Sequence, residues 1–289
     1  MAITWTEVQP AGNANKNWNG CAVDGDGSVM LVCADGGRLY LSTDTGANWS
    51  EPRPAGDANK AWRTGAIDSD GSVMLAGVYG GRLYLSTNTG ASWTEVQPAG
   101  NANKNWNACA VDSDGSVMLV GVYGGRLYKS TDTGANWSEV QPAGSADKNW
   151  RYASVSSDGS VMLVAYASGR LYKSTDTGAN WSEVQPAGSA GKLWRACAID
   201  SDGSVMLTGV YAGRLYVSTD TGANWSEAQP AGDANRNWRT FAVDSGGLVM
   251  LAGVYDAASY GRIYKGTYTE GSSASVVPVI MNQYRQRKA

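Results

Sequence analysis

The sequence predicts an all-β chain, a six-bladed β-propeller of four-stranded antiparallel blades. Three observations predict it. Two tryptophan series, Trp5, Trp49, Trp93, Trp137, Trp181, Trp225 and Trp18, Trp62, Trp106, Trp150, Trp194, Trp238, each recur every 44 residues and account for all 12 tryptophans. Each period holds four short strand-like segments, the length signature of one blade. Composition agrees: 37 glycines supply turns, and 15 tyrosines beside the tryptophans favour strands.

One repeat, read from Trp62, justifies the elements in order. WRTGAID is a first strand running into DSDGS, whose Asp and Gly suit a tight hairpin. VMLAGVY is a continuous apolar run of the kind buried on both faces. Gly80-Gly81 turns into RLYLST, TNTGAS reverses the chain into WTEVQ, and PAGNANKN crosses to the next repeat. The first copy of the fourth strand, Ile3 to Val8, precedes any first strand, whereas repeat 6 ends at Arg262 to Thr267 without one. The N-terminal strand is therefore expected to complete blade six and close the ring, removing its open edge. Tyr255 and Arg262 stand further apart than Tyr79 and Arg82, which marks Asp256 to Ser259 as an insertion. Residues 1–270 are read as one propeller. Residues 271–289 form a tail with three open roles: capping the ring, docking a partner, or disorder.

Composition also excludes classes of function. A formal charge of −3 argues against nucleic acid as partner. No run approaches the roughly 18 to 20 apolar residues that cross a bilayer, so no membrane insertion is expected. No secretory signal opens the chain, which makes it cytoplasmic by default, as a monomeric ring with tail-mediated assembly left open. Cys21, Cys109 and Cys197 share one repeat position with Gly65, Ala153 and Phe241, which reads as a slot for buried thiols. Cys21 and Cys33 are the one pair placed for a disulfide.

The most specific motif is STDTGANW at 42–49, recurring at 130–137, 174–181 and 218–225, with STNTGASW at 86–93. In repeat 6, Gly266-Thr267-Tyr268-Thr269 replaces it. The motif resembles the Asp box, S-x-D-x-G-x-x-W, of the BNR-repeat propellers: sialidases, sortilin-type receptors, some xyloglucanases and photosystem II assembly factors. The resemblance implies the fold, with the boxes maintaining it. A sialidase would further require an arginine trio, a tyrosine–carboxylate pair and an acidic proton donor converging at one mouth. Near-identical repeats offer each blade the same side chains, whereas two carboxylates of separated pKa need two environments. Without histidine the usual neutral base is also missing. The expectation is that the chain is not an enzyme and carries no cofactor or metal. The turns at Asp68, Asp112 and Asp200 lack the further ligands and distal glutamate of a calcium loop, and the Asn-Trp-Ser triplets at 48, 136, 180 and 224 lie inside the box turn.

The richer constellation lies on the opposite face, where crossovers and second-to-third turns emerge together. Each repeat brings a tryptophan there (Trp18, Trp62, Trp106, Trp150, Trp194, Trp238) and an arginine (Arg38, Arg82, Arg126, Arg170, Arg214, Arg262). Four repeats add a tyrosine: Tyr79, Tyr123, Tyr211 and Tyr255. An indole covers the apolar side of a pyranose, while arginine donates to hydroxyls or a carboxylate. These residues predict a multivalent, lectin-like protein with repeated glycan sites between blades, where linked weak sites gain about 10²–10⁴ in avidity. The alternatives are a protein-interaction or assembly scaffold, a glycosidase, and a recently amplified or designed repeat without specific activity.

Overall fold

The computed structural model describes residues 7–255 and 262–268. Every strand in it pairs antiparallel. Repeat 1 contributes Asn17–Val23, Met30–Asp35 and Leu39–Ser42, and repeat 2 Trp62–Ile67, Met74–Val78, Leu83–Ser86 and Thr94–Val96. Repeat 3 contributes Trp106–Val111, Met118–Gly125, Leu127–Ser130 and Ser138–Val140, and repeat 4 Lys148–Val155, Met162–Tyr166, Leu171–Ser174 and Ser182–Val184. Repeat 5 follows with Trp194–Ile199, Met206–Val210, Leu215–Ser218 and Ser226–Ala228, and repeat 6 with Trp238–Val243, Val249–Val254 and Ile263–Thr267.

Side-chain alternation along the second strand explains its unbroken apolarity. Met74 and Ala76 point back into a core shared with Leu31, Cys33 and Leu39 of repeat 1. Val73 and Leu75 point forward, against Trp106 and Met118 of repeat 3. A strand sandwiched between two neighbours has no polar face to show. Gly77 belongs to the same packing: a Cβ there would lie 2.8 Å from the Cβ of Trp106. Five such cores join the six repeats in sequence.

Backbone bonds lock the same boundaries at both ends. On one face, Gly81 and Lys104 exchange N–H···O bonds of 3.1 and 2.8 Å, as do Gly37 with Lys60 and Gly213 with Arg236. On the other, a collar of bonds runs from Gly25 N–H to Ser69 O, Ser69 to Ser113, Ser113 to Ser157, Ser157 to Ser201 and Ser201 to Ser245.

The expectation of six four-stranded blades closed by the N-terminal strand needs correction. The strands fall into five sheets, of three, four, eight, four and three strands, and none closes on itself. Repeats 3 and 4 merge because the second strand of repeat 3 runs through its own turn to Gly125 and pairs with Lys148 and Asn149. Repeat 1 keeps only a bridge between Leu41 and Ser50 in place of a fourth strand. Pro52 stands there where other repeats have Val96, Val140 or Val184, and proline brings no donor to a ladder. Of the closing segment, Ile3 to Thr6 lie outside the described residues, and Glu7 and Val8 belong to no strand. The insertion at 256–259 and the tail at 271–289 also lie outside the described residues.

Each box is a self-contained hydrogen-bond circuit. In repeat 3, Ser130 Oγ donates to Asp132 Oδ1 (2.8 Å) and accepts from Gly134 N–H (2.9 Å). Asp132 Oδ1 accepts from Asn136 N–H (2.8 Å), and its Oδ2 from Asn136 Nδ2 (2.6 Å). Trp137 closes the turn by donating Nε1–H to Gly134 O. The reversal needs two successive left-handed residues, Thr133 at φ 54° and Gly134 at φ 77°. Repeat 2 solves the circuit differently: Asn88 Oδ1 accepts from Ser92 N–H, while Asn88 Nδ2 donates to Ser92 Oγ. Replacing Asp by Asn reverses one bond, and replacing the facing Asn by Ser supplies its acceptor.

The cysteines follow the packing. All four are free: Cys21 is exposed, while burial pushes the thiols of Cys109 and Cys197 up to about 12. The Cys21–Cys33 disulfide is absent because strand alternation points neighbours to opposite faces: Cys33 stands across from Gly20, and Cys21 across from Val32.

Two outcomes test this account. Asp132→Asn sets an amide donor against the Asn136 amide and lowers the melting temperature, whereas Asp132→Asn with Asn136→Ser recreates the repeat 2 pair and restores it. Trp106→Ala, at a site 2% exposed, is expected to lower unfolding free energy by about 3–5 kcal/mol in denaturant titration.

Candidate functional site

The residues predicted to share one binding surface separate in the structure. Trp62, Trp106, Trp150, Trp194 and Trp238 are at most 3% exposed. Each packs edge-on or tilted against a third-strand tyrosine, as Trp106 does against Tyr128 at 6.2 Å. Trp194 and Trp238 also donate Nε1–H to the turn carbonyls of Gly169 and Gly213 in the preceding repeats. Their faces are covered by protein, so the sugar-stacking role predicted for them is corrected to inter-repeat packing. Trp18 alone of this series is substantially exposed.

The third-strand arginines turn outward. Arg82, Arg126, Arg170 and Arg214 lie 3.1–3.5 Å from Glu95, Glu139, Glu183 and Glu227 of the outer strands. The Nη1 atoms concerned make no aligned hydrogen bond, so charge proximity rather than bond geometry holds these pairs. Arg38 reaches the Gly56 carbonyl at 3.5 Å, and Arg262 is exposed. Neither set converges with the buried tryptophans.

A different set of arginines meets the predicted tyrosines. In every repeat the ladder slips by one residue just after the inner-strand tryptophan. Such a bulge re-aims the extra side chain. The bulged residues are Asn19, Arg63, Asn107, Arg151, Arg195 and Arg239. Arg63 sits 5.1 Å over the Tyr79 ring, Arg195 4.7 Å over Tyr211 and Arg239 4.6 Å over Tyr255. Tyr123 lies 6.3 Å from Tyr79, and Arg63 pairs with Asp35 at 3.3 Å. The Nε atoms of Arg63 and Arg195 are buried without a partner. Cation–π stacking fixes each guanidinium plane; Arg63 already spends one outer nitrogen on Asp35, whereas Arg195 and Arg239 have no acidic partner among the described residues. Arg151 and Arg239 escaped the sequence reading, although an Asn or Arg after each tryptophan was visible, because a register slip leaves no mark in apolar alternation.

The other mouth is acidic. A cavity of about 280 Å³ is ringed by the first-to-second turns of all six repeats, including Asp24, Asp68, Asp112, Ser156, Asp200 and Asp244. Each acid serves its own turn: Asp68 Oδ1 accepts from Val73 N–H at 3.0 Å and Oδ2 from Ser72 Oγ at 3.0 Å. Burial raises the pKa of Asp68, Asp112 and Asp200. Two residues on, Ser72, Ser116 and Ser204 donate to Asp70, Asp114 and Asp202 and lower theirs. Separated carboxylate environments thus arise within a single repeat, so sameness between repeats is no bar to them. Among the described residues no group of three or more potential ligands is placed to hold a metal, and no helix is long and apolar enough to cross a membrane.

These shifts have opposite signs with pH. Asp68, Asp112 and Asp200 bind protons more readily folded than unfolded, so acidification from neutrality favours the fold until they are protonated. The box acids respond in reverse: bonds from Asn180 bring Asp176 to about 2, a contribution complete above the unfolded carboxylate value of about 4 and lost as pH falls through about 2. Thermal melts should hold or rise as pH falls towards the ordinary carboxylate value of about 4 and fall below it. Combined Asp68→Asn, Asp112→Asn and Asp200→Asn should erase the upper limb alone; an unchanged upper limb would refute the assignment.

Residues 109–247 match the family model described as photosynthesis system II assembly factor YCF48. No curated protein matches the chain. Among solved structures it is similar to an ancestral GH74 enzyme (18% identity, TM-score 0.73, 96% of this chain and 39% of that one). It is also similar to the GH74 xyloglucanase from Xanthomonas campestris (20% identity, TM-score 0.66, 90% and 46%) and to YCF48 from Cyanidioschyzon merolae (11% identity, TM-score 0.50, 83% and 93%). The chain thus spans less than half the length of either GH74 protein. The expectation of a chain that is not an enzyme is overturned, since its fold is of a type that glycoside hydrolases use. Residues 109–247, just under half of the chain, are thus similar to the YCF48 assembly-factor model, and the chain as a whole carries five Asp-box turns.

Proposed function

We propose that the arginine–tyrosine mouth recognises a carboxylate-bearing protein segment and that the chain acts in assembly. The observation that carries this reading is the stacking of Arg63, Arg195 and Arg239 on Tyr79, Tyr211 and Tyr255, with the Nε atoms of Arg63 and Arg195 unpartnered. A guanidinium fork held flat accepts a carboxylate bidentately, and the tyrosine hydroxyl edges select polar neighbours. The match to an assembly-factor model over residues 109–247 supports this use of the fold. Carbohydrate is the second reading, favoured by the likeness to a GH74 xyloglucanase. On that reading the tyrosine faces carry the sugar rings and the arginines bond their hydroxyls.

The two separate in one titration series. The full chain is titrated with acidic peptides, with the same peptides amidated at the carboxylates, and with xyloglucan oligosaccharides, the last also assayed for cleavage. Acidic peptides alone should bind, more weakly as salt rises, and Arg195→Ala should weaken them about tenfold or more, as for loss of one charged hydrogen-bonding partner. Equal affinity for the amidated peptides would sink the first reading. Binding or cleavage of xyloglucan with no peptide binding would establish the second.

A further inference from the structure

In repeat 1 the residue ending the second strand reaches the bulged arginine of the next repeat: Asp35 Oδ2 lies 3.3 Å from Arg63 Nη2. Repeat 4 has Ala167 at that position, and the bulged arginine of the next repeat is Arg195. The backbone there is held as in the tyrosine repeats. Ala167 N–H donates to Asn149 O at 2.9 Å, as Tyr79 does to Ala61 and Tyr211 to Leu193 at 2.8 Å. The turn that follows is shared as well, with Ser168 at φ 58° and Ala212 at φ 53°. Only the side chain is cut back, so Ala167 brings no carboxylate to the position from which Asp35 pairs with Arg63.

Two bulged arginines flank that position, one in the same repeat and one in the next. Arg195 stacks 4.7 Å over Tyr211, with its Nε buried and unpartnered and no acid paired with it among the described residues. Arg151 has no tyrosine at the second-strand end of its own repeat to stack on, and among the described residues no acid pairs with it. We infer that the Ala167 position is a slot for one carboxylate of the ligand, held between Arg151 and Arg195. The slot belongs to the carboxylate-binding mouth proposed above and rests on that reading, and it fixes where on the ring the carboxylate goes. Its occupant is identified by the chain's own example, since Asp35 supplies a carboxylate to Arg63 at the matching place. Two guanidinium forks without an acid of their own take that carboxylate from outside. In repeats 2, 3, 5 and 6 a tyrosine fills the position, so the mouth is asymmetric although its repeats are alike.

Fluorescence anisotropy with the full chain and two labelled peptides of otherwise uncharged sequence tests this. One peptide carries a single internal glutamate and an amidated end; the other carries no acidic side chain and a free C-terminal carboxylate. The wild type should bind at least one of them, and which one it binds tells whether a side chain or a chain end supplies the carboxylate. Ala167→Asp places repeat 1's own residue in the slot and should weaken binding about tenfold or more. Ala167→Tyr fills the slot without adding charge and should weaken it likewise. Both residues already stand at this position elsewhere in the ring, so melting temperatures should stay near that of the wild type. Arg151→Ala should weaken binding too, although Arg151 belongs to no arginine–tyrosine stack. Binding that Ala167→Asp and Arg151→Ala leave unchanged, or that Ala167→Tyr strengthens, overturns the slot and leaves the wider reading of the mouth standing. A wild type that binds neither peptide removes both.

Discussion

The burial of one tryptophan from each of repeats 2 to 6 in the core of the repeat before it is the contact on which the rest depends. Trp106 is covered by Val73, Leu75 and Leu83, and its Cβ lies so close to Gly77 that only glycine fits there. The residue after each indole stands out of register, in repeat 1 as in the others. That slip aims Arg63, Arg195 and Arg239 at the tyrosines of the second-strand ends. Packing in the core and charge at the mouth therefore act through adjacent residues.

This division also explains what the sequence makes legible. The 44-residue period, the four strands of repeats 2 to 5 and the boxes are all written in local spacing and turn chemistry. The fate of the tryptophans was not, because an indole suits a sugar and a hydrophobic core equally, and only the neighbouring repeat decides. Arg82 and its equivalents misled for a related reason. They are adjacent to the right turn in sequence, but Glu95 on the next strand draws the side chain outward. The missing fourth strand of repeat 1 was legible after all in Pro52, a residue that regular strand pairing excludes.

The two ends of the molecule carry opposite electrostatics by different means. At one end guanidinium groups are held open by aromatic rings. At the other, carboxylates are turned inward on their own hairpins, so an acidic rim has few free lone pairs. The raised pKa of Asp68, from burial, and the lowered pKa of Asp70, from its bonds with Ser72, recur at Asp112 with Asp114 and at Asp200 with Asp202. A likeness to enzymes that rely on paired acids is therefore a statement about scaffold, and the chemistry of either mouth rests on its own side chains.

The exchange of partners in the repeat 2 box bears on how such arrays change over generations. Asn88 and Ser92 work together, as do Asp132 and Asn136, but the crossed pairing of Asn with Asn sets two amides against each other. Unequal recombination between copies is thus penalised when its breakpoint falls inside those four codons and tolerated almost anywhere else. The box thus changes in matched pairs, as Asn88 with Ser92 in repeat 2 illustrates.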